Sequence, residues 1–193
     1  MPWEKRFDAD QVLDTVMQAF WARGYEATSM QDLVARTGVN RASLYATYGD
    51  KHALFLSALR MYDEKMRRKL LADLEAGYGP REAIRQLFLA FANRIGKAGG
   101  NRGCFLTNTA LELAAHDPQA RRVVVHAQEE IEAFFARMIV KGRLQKEIAH
   151  HVDSAETARG LLASLLGLVV LTRSRPDRML LGSIVDDVVR RLG

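Results

Sequence analysis

The sequence predicts an all-α protein of about nine helices, with a small N-terminal three-helix unit joined to a larger helical C-terminal domain. Apolar residues recur at helical spacing along the whole chain, and no segment sustains the alternation of a strand. Between Thr28 and Lys51 four helix-boundary residues fall close together, the pattern of two short helices around a glycine turn. With 193 residues and 48% hydrophobic content, the chain carries more apolar material than three short helices can bury, so a second core must follow them.

The spacing predicts a first helix from Asp8 to Arg23, with Asp8 and Gln11 as a capping box and Gly24 as the stop. Leu13, Val16, Met17 and Phe20 give it one apolar stripe. Thr28 caps the second helix with Gln31 closing its box, Gly38 suits a left-handed turn, Asn40 caps the third helix and Gly49 ends it. Met30, Leu33, Val34, Val39 and Leu44 supply the rest of this small core. Asp50 caps a long helix to about Glu75, with Leu54, Phe55, Ala58, Leu59, Tyr62, Met66 and Leu70 on one side. At 1.5 Å per residue that is a rod of about 37 Å. The domain boundary falls within it, giving units 1–56 and 57–193.

Beyond the rod, Gly79-Pro80 starts a helix through Ile95, which Gly96, Gly99 and Gly100 break. Phe105 to Ala115 follows, then a helix capped by Asp117-Pro118 to about Val140. Asp153 with Glu156 boxes a helix through Arg173, and Pro176-Asp177 opens the last, to Leu192.

Composition narrows the function. Net charge is +5, yet residues 1–56 hold six Lys/Arg against seven Asp/Glu, a net of −1, so nucleic-acid binding must come from the placement of charge and not from diffuse basicity. Arg41, Lys51, Lys5 and Arg6 are the cations expected near phosphates. No uncharged apolar run approaches the roughly 20 residues of a membrane span; the nearest, Leu161 to Thr172, contains Ser164 and Gly167. Glu4, Lys5 and Arg6 have no apolar segment behind them, so no signal peptide is read, no membrane partner is expected, and the location expected is the cytoplasm. Cys104 is the sole cysteine, His150 and His151 read as a solvated pair, and no Cys/His cluster has zinc spacing. Nor is there a Ser/His/Asp set, a carboxylate pair or a phosphate loop at useful spacing. The expectation is therefore a non-enzyme without metal or other cofactor.

At the two short helices the chain closely resembles the TetR/AcrR family of transcriptional regulators. The resemblance rests on Phe20-Trp21-Ala22-Arg23-Gly24-Tyr25, Thr28-Ser29-Met30, Gly38-Val39-Asn40-Arg41-Ala42-Ser43-Leu44-Tyr45 and Tyr48-Gly49-Asp50-Lys51-His52-Ala53-Leu54. Gly103 to Glu112 also looks like a subset of that family. Asn40 and Asp50 stand where the family often has serine, and both are sound caps. The resemblance implies a homodimer that binds a palindromic DNA operator and is released by a small-molecule effector. A repressor is the leading expectation; an activator or a non-specific architectural DNA-binding protein is the alternative.

In this frame the third helix presents Arg41, Ala42, Ser43, Tyr45, Ala46 and Thr47 outward while Leu44 anchors it. Arg41 suits a bidentate contact to guanine, Ala42 and Thr47 a thymine methyl, and Ser43 or Tyr45 a base or phosphate. Thr28, Tyr48 and Lys51 are expected as phosphate clamps, Tyr48 alternatively as a packing residue. Tyr62, Met66, Phe88, Phe91, Cys104, Phe105, Asn108, Thr109, Phe134 and Met138, with Leu87 and Phe135, are expected either as core or as the wall of a cavity for a hydrophobic or aromatic effector, with Asn108 and Thr109 orienting it. Cys104 is read either as a small buried hydrophobe or as a thiol made nucleophilic by Arg102 and a helix N-terminus. Leu161, Leu162, Leu165, Leu168 and Val169, with Leu166 and Leu171, make one helix apolar almost all round; with Ile184 and Val188 of the last helix they are expected to form a symmetric four-helix dimer interface.

Overall fold

A computed structural model describes residues 8–94 and 101–193, and among them every regular element is a helix. They are α1 (Ala9–Arg23), α2 (Met30–Thr37), α3 (Arg41–Tyr48), α4 (Lys51–Tyr62, continuing through a π-helical turn, Asp63–Arg68, into Lys69–Gly77), α5 (Pro80–Ala92), α6 (Phe105–Glu112), α7 (Pro118–Leu144), α8 (Ser154–Ser174) and α9 (Arg178–Arg190). The predicted helix break at Gly96, Gly99 and Gly100, and the predicted phosphate contacts of Lys5 and Arg6, lie outside the described residues.

The N-terminal unit is set by its caps. Asp8 accepts from the N–H groups of Asp10 and Gln11, Asn40 from Ser43, and Asp50 from Ala53. The cap of α2 lies one residue later than the spacing predicts. Ser29 accepts from the Asp32 N–H while the Asp32 carboxylate returns to the Ser29 N–H, so Ser29 and Asp32, not Thr28 and Gln31, form the capping box. That interchange of hydrogen bonds also holds the Asp32 carboxyl below its ordinary range, the Ser29 hydroxyl first and the Ser29 backbone next. Gly38 takes φ +69° after α2 and Gly49 φ +93° after α3, backbone that favours glycine.

With these ends fixed, α1 lies along α4 and the short pair α2–α3 closes over them. Val16, Met17, Phe20, Leu33, Leu44, Leu54 and Phe55 bury at the centre, Phe20 edge-on to Phe55 at 5.2 Å. Val12 joins them, whereas Leu13 is only half-buried.

The long helix α4 carries this core into the second one. Its π turn coincides with Asp63 and Arg67, which pair across one turn although both are buried. Around the far half of α4, α5 and α7 pack with α8, and Phe88, Phe134, Phe135, Met138 and Leu165 fill the space between. α8 is 21 residues long and apolar enough to cross a membrane by length and composition. Here one side is buried against α5, α7 and α9, and Glu156, Arg159 and Arg173 lie exposed along it.

Candidate nucleic-acid interface and ligand cavity

The outer face of α3 carries the residues expected to read DNA. Arg41 and Ala42 are exposed and Ser43, Tyr45 and Thr47 half-buried, while Leu44 is fully buried beneath them. The Arg41 guanidinium donates to the Tyr45 hydroxyl through Nε at 3.1 Å and Nη2 at 2.8 Å, and lies 5.1 Å from the centre of that ring. Arg41 and Tyr45 thus present one joined polar surface, one turn apart on the same side of the helix. Lys51, at the start of α4, holds its ammonium 4.2 Å from the Tyr25 ring centre, close to the same end of the unit.

Two of the expected phosphate clamps have other partners. Thr28 is fully buried and its hydroxyl donates to the Gly24 carbonyl at 2.7 Å, closing the α1–α2 loop, so it cannot reach a phosphate. The exposed hydroxyl at that helix start belongs to Ser29. Tyr48 is half-buried and donates to the Ala9 carbonyl at 2.9 Å, the packing role of its two readings. Burial raises its phenol above the ordinary value, and Asp10 adds to the shift.

The C-terminal domain contains an apolar cavity of about 50 Å³ between α4, α5, α6, α7 and α8. Of the residues expected around an effector, Tyr62, Met66, Phe91 and Cys104 line it, with Leu87 beside them. The others do not. Phe88, Phe134 and Met138 are core, Phe134 beside Phe135 at 5.8 Å. Phe105 turns toward the N-terminal unit. Thr109 is buried with its hydroxyl bound to the Phe105 carbonyl, and Asn108 lies on the outer side of α6, donating to the Arg102 carbonyl and accepting from Arg173. On α6 it is Leu106 and Thr107, two residues before Asn108 and Thr109 and so on the other side of the helix, that reach the cavity. Sequence reasoning missed Arg67, Arg94, Thr107 and Gln128, the polar part of the wall. A signal was present for Arg67: it falls four residues after Asp63 inside an otherwise apolar helix face.

Cys104 is the N-cap residue of α6 and is buried at the cavity wall. Arg102 does not serve it: its Nη1 donates to Gln18 at 2.7 Å and its guanidinium lies over Trp21. The thiol's neighbour is instead the Tyr62 hydroxyl; burial, reinforced by Cys104, raises that phenol well above its usual value.

From the cavity a run of contacts leads to Tyr25 in the N-terminal unit. Tyr62 meets Phe105 edge-on at 5.8 Å, Phe105 meets Phe55 at 5.6 Å, and Phe55 meets Tyr25, the ring under Lys51, at 5.0 Å. Polar ties flank it: His52 Nε2 to the Asp117 carboxylate at 2.6 Å, and the Glu26 N–H to the Glu112 carboxylate at 3.1 Å. Burial would raise the Asp117 carboxyl, but the Ala120 N–H, His52 and the Gln119 N–H together hold it below its ordinary value.

The leucine-rich seam is also placed differently. Leu161, Leu165, Leu168, Val169 and Val188 are all buried within their own chain, and Leu162 and Ile184 are half-buried. The bulky stripe faces inward because α8 has its own α5, α7 and α9 to cover. Its outward side is built of small residues, Ala155, Ala163 and Gly167, with Val170, and on α9 Met179 is 85% exposed.

Comparison with known proteins agrees with this geometry. Residues 12–58 match the model of bacterial regulatory proteins of the tetR family, and residues 80–185 that of the tetracyclin repressor-like C-terminal domain. The chain is 34% identical over 183 residues to the uncharacterized HTH-type transcriptional regulator YezE of Bacillus subtilis strain 168, covering 94% of each. It is 30% identical over 170 residues to the HTH-type transcriptional repressor ComR of Escherichia coli K12, covering 88% of this chain and 81% of ComR. Among solved structures, a cysteine mutant of the TetR family regulator CifR complexed with a 26-base-pair operator superposes with a TM-score of 0.84 at 27% identity, over 97% of each chain. The helix-turn-helix, the helical second domain and these matches make the chain a member of the TetR family of DNA-binding transcriptional regulators.

Proposed function

We propose that the protein is a homodimeric repressor that leaves a palindromic operator when a small, mainly apolar molecule enters the cavity between α4 and α8. The observation that carries this reading is the unbroken aromatic run from the cavity wall at Tyr62 through Phe105 and Phe55 to Tyr25 beneath Lys51. A molecule that pushes on Tyr62 or α6 works directly against the base of the DNA-binding unit. Its division into residues 1–56 and 57–193 places the boundary inside α4, which belongs to both cores. α3 supplies readout through Arg41, Ala42, Ser43, Tyr45 and Thr47, and Lys51 a phosphate contact. Two copies join through the open sides of α8 and α9, and the protein works in the cytoplasm on the chromosome. Repression is favoured because relatives such as ComR are described as repressors. A non-specific architectural role is disfavoured by the net of −1 on residues 1–56.

The test is selection of bound DNA from random fragments, followed by binding of the enriched duplex by sedimentation. Enrichment of a palindrome bound by two chains supports the reading. Uniform recovery of all sequences, or one chain per duplex at saturation, overturns it.

A further inference from the structure

We propose that the cavity takes a neutral aromatic carbonyl compound, its oxygen accepting from Arg67 Nη1; this rests on the ligand-responsive reading above and names its ligand class. Arg67 lines the cavity, and its side chain is only 7% exposed. Of its five N–H donors, Nε is committed to Asp63, and Nη2 to Asp63 at 3.0 Å and to Glu130. Nη1 is buried and has no partner. A buried guanidinium with an open edge is an unfinished hydrogen-bonding group, and buried polar groups in native proteins are rarely left so. The turn that presents it is π-helical, a local widening of the helix that concentrates at functional sites.

The surroundings select the acceptor. Asp63 and Glu130 already face Arg67, Arg68 Nε stands 3.4 Å from the former and 3.2 Å from the latter, and Arg68 Nη1 also meets Glu64 at 3.1 Å, so three carboxylates face two arginines. A ligand carboxylate would bring a further negative charge to a cluster already richer in carboxylates than in arginines, and pay its own desolvation. A ketone, aldehyde or quinone oxygen accepts the same N–H without adding charge. The rest of the wall is mostly apolar and partly aromatic, with Tyr62, Phe91, Leu87, Val124 and Ile131, which suits a ring; its other polar groups are Thr107, Gln128 and Arg94, whose guanidinium donates to the Ala90 and Gly103 carbonyls. At about 50 Å³ the space is smaller than the roughly 150 Å³ of a cavity that holds benzene, so a ring enters only as the surrounding helices move apart.

The experiment uses three probes of one shape on the full-length protein: acetophenone, α-methylstyrene (CH2 in place of the oxygen) and benzoate, each titrated by calorimetry. Acetophenone is expected to bind about ten- to a hundredfold tighter than the other two, the range of a hydrogen bond from a charged donor. Arg67→Lys keeps the charge beside Asp63 and Glu130 but loses the free edge. It should erase the gap between acetophenone and α-methylstyrene while leaving α-methylstyrene affinity unchanged. Equal affinities in the parent protein or a gap that survives Arg67→Lys would overturn the role of Arg67, and preferred benzoate would overturn the neutral ligand class, each leaving the cavity intact. No binding of any probe at millimolar concentration would overturn the cavity as a ligand site. Should Arg67→Lys fail to fold, the arginine Nη resonances of the parent protein decide: acetophenone must shift those of Arg67, and unmoved resonances reject the contact.

Discussion

Arg41 is tied to the Tyr45 hydroxyl by two hydrogen bonds, so in the proposed role it would meet DNA as a preorganised pair and lose less side-chain freedom on binding than a lone arginine. Arg41→Ala should weaken operator binding by about 1–3 kcal/mol and leave random DNA nearly unaffected, measured by competition between the two duplexes. Equal losses on both would move Arg41 from base readout to the backbone. Thr28 leads to the opposite kind of result. Its hydroxyl is spent inside the protein, so Thr28→Val should lower unfolding stability by about 1 kcal/mol and leave the salt dependence of DNA binding unchanged. A flattened salt slope would restore it as a phosphate clamp. Both residues were singled out in the sequence, but sequence alone does not distinguish them. Thr28 and Ser29 are adjacent hydroxyls, and which becomes the cap depends on Asp32, three residues beyond Ser29, returning the bond.

Helix ends were legible because each depends on one or two neighbouring residues: Asp8, Asn40, Asp50, Asp117, Asp153 and Asp177 all cap the helices they precede. What a helix faces was less legible, since that is decided by elements far along the chain. The α6 segment shows both: its start at Phe105 follows from the preceding loop, but the rotation that sends Leu106 and Thr107 to the cavity and Asn108 to the outside is set by α7 first, with α4 and α8. Asp117 joins the two scales, capping α7 through Gln119 and Ala120 while binding His52 of α4. Because its carboxyl is held below its ordinary value in the folded state, its stabilising contribution is full above the unfolded value near pH 4 and is lost as pH falls through the lower folded one. Asp117→Asn keeps a competent cap and removes the charge. It should cost about 1–2 kcal/mol near neutrality, with the difference from the parent shrinking below about pH 4 in thermal melts. A gap independent of pH would show that the carboxylate charge contributes nothing there.

At the scale of the molecule, α8 divides its residues between two tasks: its leucines build the monomer core, and its small residues face outward. Leu165→Asp would therefore destroy the fold before it could report on assembly, at a cost of roughly several kcal/mol. Gly167 is the better probe, because a side chain built there meets nothing within 4 Å in its own chain. Gly167→Arg should melt like the parent, sediment as a monomer, and lose tight operator binding, since two recognition helices must be held about 34–36 Å apart, or a multiple of that turn. A normal dimer would place the interface elsewhere. The junction between the two cores carries a different consequence, for exchange of parts between regulators. A Cβ on Gly24 would stand 2.8 Å from the Glu112 carboxylate, and that same carboxylate holds the Glu26 N–H. A hybrid joined within α4 thus inherits half of a fitted joint: grafting residues 8–56 onto a foreign effector domain will transmit its signal only if counterparts of Phe105, Glu112 and Asp117 travel with them.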